Sequence, residues 1–384
     1  RCFKFLVSLN PICRVPFIRE KMKNSINNRT ETNNSSSKSA NNVQSAQQYR
    51  SKFSQDLYGA IDLGTNNCRL LIARPSGSGF RVATSFSRIV KLGEGLLESN
   101  YLTEFAMDRT VLALRTCSQK LNSFNVIKSR SIATEACRRA KNCDEFLDRI
   151  FRETGLKFET ITSKEEARLA LLGCQNLLIP KQPYALVFDI GGGSTEIIWA
   201  KKGQNKFDIL DVLSLPIGVV TLSEKLGSRK VDDNCYREMI NSISLLLPAF
   251  SDRNNIDQLV AGKEVQMLGT SGTVTTLGAV HLNLARYDRT MIDGLDLTFK
   301  DLKDASRKLI NQNYQKRTEI PSVSCERAEL VVPGCAILET ICQRWPVGKL
   351  RVADRGLREG MLLELMIKDG IPVTGNPPAN LSIN

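Results

Sequence analysis

One pattern in this 384-residue chain constrains its fold more than any other. The segment Ile61-Asp62-Leu63-Gly64-Thr65-Asn66-Asn67-Cys68-Arg69-Leu70-Leu71-Ile72 returns 127 residues later (62 to 189) as Phe188-Asp189-Ile190-Gly191-Gly192-Gly193-Ser194-Thr195-Glu196-Ile197-Ile198-Trp199. Each copy reads as an apolar strand, an Asp, an aliphatic residue, a Gly, a short polar turn and a second apolar strand. An offset of about one domain length predicts a duplication with one hairpin in each half. Around the hairpins, apolar runs such as Arg130–Ala133, Phe158–Ile161, Val265–Leu268 and Leu350–Val352 alternate with helix-period segments. The helical segments include Glu104–Leu121, Glu165–Leu178, Tyr236–Phe250, Phe299–Asn313 and Glu326–Arg344, so the chain reads as α/β.

Both hairpins turn through glycine, which lets backbone N–H groups converge without a Cβ clash and so form an anion site. In the first copy Asp62, Gly64, Thr65 and Asn66 are the candidate phosphate contacts; in the second, Gly191, Gly192, Gly193, Ser194 and Thr195. An Asp opening such a turn repels a bare phosphate and makes sense beside Mg²⁺. A plain tight Asx-Gly hairpin explains either copy alone, but not the repetition. A third loop, Gly269-Thr270-Ser271-Gly272-Thr273, follows an apolar run and opens a helical stretch at Val274–Leu282. Strand, glycine turn and helix N-terminus together favour an anion, although an N-capped core helix has the same signature. It is neither a Walker A loop nor Gly-x-Gly-x-x-Gly.

Composition removes other chemistry. The single His281 leaves no His-rich zinc site and little scope for a Ser-His-Asp triad. Eleven scattered cysteines without a Cys-x-x-Cys pair read as reduced thiols of a cytoplasmic protein. No apolar run reaches the roughly 20 residues of a membrane helix. Of the net charge of +13, residues 1–53 hold +8, with ten Lys and Arg against Glu20 and Glu31; the other 331 residues carry only +5. Such a body suits a polyanionic small substrate better than a nucleic acid. The Asn/Ser-rich stretch from Lys21 to Gln48 reads as a disordered basic tail. The run Cys2–Phe17, interrupted by Pro11, Arg14 and Pro16, is not a secretory signal, while a basic transit segment is an alternative reading.

Without a usable His, general-base chemistry falls to carboxylates. Glu166, in Ser163-Lys164-Glu165-Glu166-Ala167-Arg168, and Glu196, directly after the second glycine turn, are the candidates. Ser163-x-x-Glu166 equally reads as a capping box, and Glu196 as a strand-edge charge facing solvent. Arg138, in Thr134-Glu135-Ala136-Cys137-Arg138, reads either as an orienter of a terminal phosphate or as a solvated helix-start arginine. Arg88, Lys91, Arg139, Lys141 and Arg168 are basic residues that a polyanion track would use, and plain solvation explains each as well.

Taken in order, Asp62-Leu-Gly-Thr-Asn, Thr134-x-x-x-Arg138, Glu165-Glu166-Ala-Arg168, Asp189-Ile-Gly-Gly-Gly-Ser-Thr-Glu196, Gly269-Thr-Ser-Gly-Thr273 and Asp354-Arg-Gly-Leu-Arg-Glu-Gly-Met361 resemble the exopolyphosphatase / guanosine pentaphosphate phosphohydrolase family, from about Tyr58 to about Leu365. The resemblance implies an α/β fold of the actin, sugar-kinase and heat-shock chaperone superfamily. Two related, ribonuclease H-like lobes would face each other across a phosphate-binding cleft. Lobe I would take residues 54–163, with 355–373 returning to it, lobe II residues 164–354, and 374–384 would form a flexible end. It implies Mg²⁺-dependent hydrolysis of a terminal phosphoanhydride of polyphosphate or guanosine pentaphosphate, a substrate that ties the family to the stringent response. The family's base falls on Glu166, its water-positioning glutamate on Glu196, its substrate arginine on Arg138, and its metal-proximal aspartate on Asp189, with Glu196 a second candidate ligand. A homodimer is implied by the resemblance alone. The chain resembles the short, two-domain form, without the additional C-terminal helical region of long members. Two other readings use the same loops: a kinase or ATPase of the superfamily, and a non-catalytic nucleotide-sensing protein.

Overall fold

The computed structural model describes residues 55–227 and 231–373; the expectations for the basic tail and for 374–384 lie outside the described residues. The first repeat forms β1 (Tyr58–Leu63) and β2 (Asn67–Ser76), an antiparallel hairpin. β3 (Gly79–Ile89) pairs antiparallel with β2, while β4 (Lys128–Ala133) and the two-residue β5 (Glu159–Thr160) add parallel to β1, giving the order β3-β2-β1-β4-β5. The second repeat forms β6 (Tyr184–Ile190) and β7 (Thr195–Lys202), with β8 (Phe207–Leu215) beside β7 and β9 (Val265–Thr270) parallel to β6. β10 (Asp296–Thr298) and β11 (Lys349–Ala353) complete the order β10-β11-β9-β6-β7-β8. Without β10, the second sheet repeats the first strand for strand in order and direction.

The register makes the duplication concrete. Gly64 N donates to Asn67 O at 2.9 Å, and Gly191 N donates to Ser194 O at 2.9 Å, the same bond 127 positions on (64 to 191). Asp62 faces Arg69 across the first hairpin, and Asp189 faces Glu196 across the second.

β1 and β6 are buried on both faces, as strands sandwiched between helical layers must be. In lobe I, Ile61, Leu63, Leu70 and Ile72 pack on one face with Leu114 of the Glu104–Ser123 helix and Phe146 of the Cys143–Thr154 helix. Tyr58, Ala60, Leu71 and Ala73 point to the other face, where they meet Met361, Leu362 and Met366 of the Leu357–Lys368 helix. In lobe II, Phe188 and Trp199 join the large core built by the Gly272–His281 and Cys325–Arg344 helices.

Between the lobes lies the Ser163–Cys174 helix. Its Leu169 packs in the lobe I cluster, while Ala167, Ala170, Leu171 and Cys174 pack against Ala185, Val187 and Ile198 of lobe II. It crosses the Leu357–Lys368 helix at two glycines. A Cβ on Gly360 would fall 1.9 Å from Leu169 O, and one on Gly173 would fall 1.9 Å from Gly356 O. No larger residue permits this approach of backbone to backbone.

Several element boundaries depart from the sequence reading. The Tyr236–Phe250 helix is two, Asp233–Ser244 and Pro248–Asn254, because Pro248 cannot donate into a continuing helix and instead starts a new one. The segment Glu165–Leu178 is an α-helix only to Cys174, then a 3₁₀ turn over Gln175–Leu177. The edge strands β3 and β8 carry no apolar run. No helix of the described residues is long and apolar enough to cross a membrane, and the nine described cysteines are free thiols.

Candidate active site

A cleft of about 780 Å³ opens where the hairpin tips and the third glycine loop converge. Its walls include Asp62, Gly64–Asn67 and Arg69 from the first repeat, Asp189–Ser194 from the second, Thr270–Thr273, and residues 354–359, the 354–356 loop with the first turn of the last helix. The two hairpin tips touch. A Cβ on Gly193 would lie 2.5 Å from Thr65 Oγ1, so only glycine lets the second turn close over the first. That Thr65 hydroxyl is buried without a hydrogen-bond partner, a costly arrangement that a ligand oxygen in the cleft would relieve.

Two of the expected phosphate contacts are corrected. Gly269 is the penultimate residue of β9 and packs against the Phe188 ring, so it serves the core rather than the turn. Thr195 opens β7, is fully buried, and donates its hydroxyl to Ile217 O at 2.7 Å, a strand-end bond away from the cleft wall. In the third loop, Ser271 caps the Gly272–His281 helix by accepting from Val274 N at 3.1 Å. Thr270 Oγ1 donates to Arg355 O at 2.9 Å and ties this loop to the 354–356 loop.

Glu166 lies at the inner wall, 8% exposed. The capping-box reading of Ser163 and Glu166 does not hold. Thr162 is the N-cap, and its hydroxyl accepts from Glu165 N at 3.2 Å, which leaves Glu166 free for other contacts. Arg138 Nη1 donates to Glu166 Oε2 at 2.7 Å and to Ile161 O at 3.1 Å, while Nε donates to Glu135 Oε2 at 3.0 Å. Arg138 therefore clasps carboxylates and is not among the residues lining the cleft. Mostly buried rather than solvated, it fixes one oxygen of Glu166, while its Nη2 is buried without a hydrogen-bond partner.

Glu196 is 1% exposed, which rules out the solvent-facing reading. Its Oε1 accepts from Ser194 Oγ at 2.8 Å and Ser214 Oγ at 3.0 Å, and Arg138 Nη2 stands 3.9 Å away. Burial, reinforced by the charge of Glu196, pushes the Glu166 carboxyl up to about 8, against the opposing pull of Arg138. Burial pushes Glu196 up to about 7 despite the hydrogen bond from Ser194, and Asp189 up to about 7 with Glu166 adding repulsion. Asp62 is raised too, by burial, with Arg69 opposing.

Among the described residues no three Asp, Glu, His or Cys side chains stand close enough to enclose a metal ion. Mg²⁺ needs only one or two carboxylates when phosphate oxygens complete its shell. The Asp62 and Asp189 carboxylates, both on the cleft wall and repelling one another, fit that donor set. Glu196 fits it less well, because two serine hydroxyls already occupy its Oε1.

Other residues of the cleft carried no signal that the sequence reading used. Arg69 lines it at the position equivalent to Glu196, and aligning the repeats would have exposed this (69 to 196). Arg327, Arg355 and Arg358 also line it, the last two inside the Asp354–Met361 motif. Of the basic residues considered as a track, Arg88 lines the cleft, Lys91 pairs with Glu329 at 3.6 Å, and Arg168 is bound by Glu165 and Glu364. Lys141 sits over the Tyr101 ring, and His281 lies 3.8 Å from Asp301 at the far end of its helix.

Residues 71–369 match the Ppx/GppA phosphatase family. A solved structure of the Aquifex aeolicus PPX-GPPA enzyme is 30% identical, covers 80% of this chain and 99% of its own, and superimposes with a TM-score of 0.66. An exopolyphosphatase from Cytophaga hutchinsonii is 25% identical, covers 84% of this chain and all of its own, with a TM-score of 0.71. These structures share the two mixed sheets and the actin-like, two-lobe architecture, as the sequence resemblance implied. Together with the repeated hairpins and the cleft between them, they place the chain in the Ppx/GppA phosphatase family.

Proposed function

We propose, from its membership of that family, that the chain is a phosphohydrolase. We propose that it acts as an exopolyphosphatase-type enzyme, releasing terminal orthophosphate from inorganic polyphosphate, from the 5′ end of guanosine pentaphosphate, or from both. The observation that carries this reading is Glu166: a buried carboxylate on the wall of a phosphate-type cleft, with one oxygen fixed by Arg138.

Cleaving a terminal phosphoanhydride needs an aligned water, an acceptor for its proton and groups that stabilise charge on the transferred phosphoryl. Arg138 holds Glu166 Oε2, leaving Oε1 to take the water's proton as the oxygen–phosphorus bond forms and the bridging P–O bond breaks. Glu196, braced by Ser194 and Ser214, keeps its other oxygen for orienting that water. The N–H groups of 192–194 and 271–273 and the Thr65 hydroxyl receive phosphate oxygens. Mg²⁺, held by Asp62 and Asp189, would neutralise oxygen charge on the substrate when bound. A raised Glu166 carboxyl suits a base working near neutral pH.

The test is orthophosphate release from polyphosphate with Mg²⁺, comparing the wild type with Glu166→Gln. Gln still accepts from Arg138, so the fold persists while the rate falls by about 10²–10⁴. Guanosine pentaphosphate added in competition ranks the two substrates. A folded wild type that releases no phosphate from either ends the proposal, and a fully active Glu166→Gln moves the base elsewhere.

A further inference from the structure

Arg327 extends from the first turn of the Cys325–Arg344 helix and lines the cleft. Its guanidinium carbon lies 5.4 Å from the centroid of the Tyr287 ring, and Nη1 donates to Thr276 Oγ1 at 3.1 Å. Arg355, by contrast, is held by the Asp293 carboxylate, with Nε to Oδ2 at 2.9 Å. An aromatic face and a hydroxyl fix a guanidinium in space without cancelling its charge, whereas a carboxylate does both. The guanidinium carbon stands over the ring, within cation–π range. The guanidinium N–H groups beyond the one given to Thr276 can meet two oxygens of one phosphate in a single plane.

Tyr287 itself stands in the turn between the Gly272–His281 and Arg289–Ile292 helices, half-buried, its hydroxyl beside Asp354 and Thr275. Thr275 and Asp354 also line the cleft. One residue thus touches three parts of the lobe II wall: the helix after the third glycine loop, the 354–356 loop and the start of the Cys325–Arg344 helix.

We propose that Tyr287 is a positioning residue for substrate binding: its ring holds Arg327 as an unneutralised, in-plane fork for the non-reacting phosphates of a polyanionic chain. The inference rests on the phosphoanhydride reading for its substrate class. Tyr287 acts through Arg327 and touches neither water nor scissile bond. Its loss therefore raises KM and leaves kcat in place, the signature of binding shared by ground and transition states.

Steady-state phosphate release and calorimetric binding of inorganic tripolyphosphate test this with four proteins: Tyr287→Leu, Tyr287→Phe, Arg327→Met and the Leu/Met double variant. Tyr287→Leu raises KM and weakens tripolyphosphate binding by about three- to tenfold, with kcat unchanged. Tyr287→Phe keeps the ring and binds like the wild type. In the Arg327→Met background, Tyr287→Leu has no further effect. The proposal is overturned if Phe loses as much as Leu, since the hydroxyl would then matter rather than the ring. It is equally overturned if the Leu effect persists without Arg327, or if Leu only lowers the melting temperature. Binding of tripolyphosphate is read without turnover, so failure of the hydrolase reading and failure of this inference appear in different measurements.

Discussion

Adding one methyl group at the crossing of the two central helices should show how tightly the fold is tied to the site. In Gly360→Ala the new Cβ would stand 1.9 Å from Leu169 O and 2.8 Å from its carbonyl carbon. Ordinary contacts begin near 3.4 Å, so the two helices must separate by about 1.5 Å. Neither atom is on a flexible side chain, and no rotamer change relieves the clash. Overpacking of this kind costs about 1–3 kcal/mol, and a backbone clash belongs at the upper end. The better helix propensity of Ala offsets about 1 kcal/mol of it. The net loss is about 2 kcal/mol, a fall in Tm of about 3 °C for a folded body of this size. The functional effect should be larger. The displaced Ser163–Cys174 helix carries Glu166, whose bond to Arg138 is 2.7 Å long, and misplacement of a reacting group by about 1 Å costs about 10²-fold in rate. Thermal unfolding and kcat for phosphate release measure the two effects on one sample, and Gly173→Ala, the reciprocal change, should repeat both. Wild-type Tm and kcat in a folded Gly360→Ala would refute the claim that this crossing sets the position of Glu166.

Other outcomes follow from single residues. Thr65→Val removes a buried hydroxyl without a partner, so the ligand-free protein should gain about 1 kcal/mol while KM rises severalfold; a lower Tm in thermal melts would contradict this. Glu166 must be ionised to accept a proton, and its carboxyl is pushed up to about 8, so kcat/KM should fall about tenfold for each pH unit below that; a flat profile from pH 6 to 9 would count against its role. The hydrogen bonds from Arg168 hold Glu165 below its ordinary 4.5, and also Glu364, where they outweigh burial. Carboxyls depressed in the folded state contribute stability above 4.5 and lose it as pH falls through their folded values. Tm should therefore drop on acidification below pH 4.5, and Arg168→Met, already lower at neutral pH, should drop less.

Much of the fold was legible because its inner strands are apolar on both faces and their hairpins recur. The duplication, the α/β layering and the three glycine-rich segments needed no more than that. The outer strands β3 and β8 were not legible, since Arg81, Ser85, Ser87, Asp208 and Asp211 interrupt them and only pairing with β2 and β7 keeps them extended. Local sequence also misassigned the cap. Ser163 and Glu166 have the right spacing, but Thr162 takes the position and frees the carboxylate for Arg138. Residues whose work depends on distant partners carried no pattern at all. The ring of Tyr287 and the guanidinium of Arg327 are forty residues apart and meet only in the folded lobe.

The repeated hairpins have a further consequence. Their backbones share one hydrogen bond and one register, yet the residue facing the aspartate is Arg69 in the first and Glu196 in the second. The two turns thus match in their main chain and differ in charge, a carboxylate facing a guanidinium in the first and a second carboxylate in the other. A linear polyphosphate has two identical ends and offers no direction of its own. Bound between two turns of unequal charge, such a chain would acquire a head and a tail.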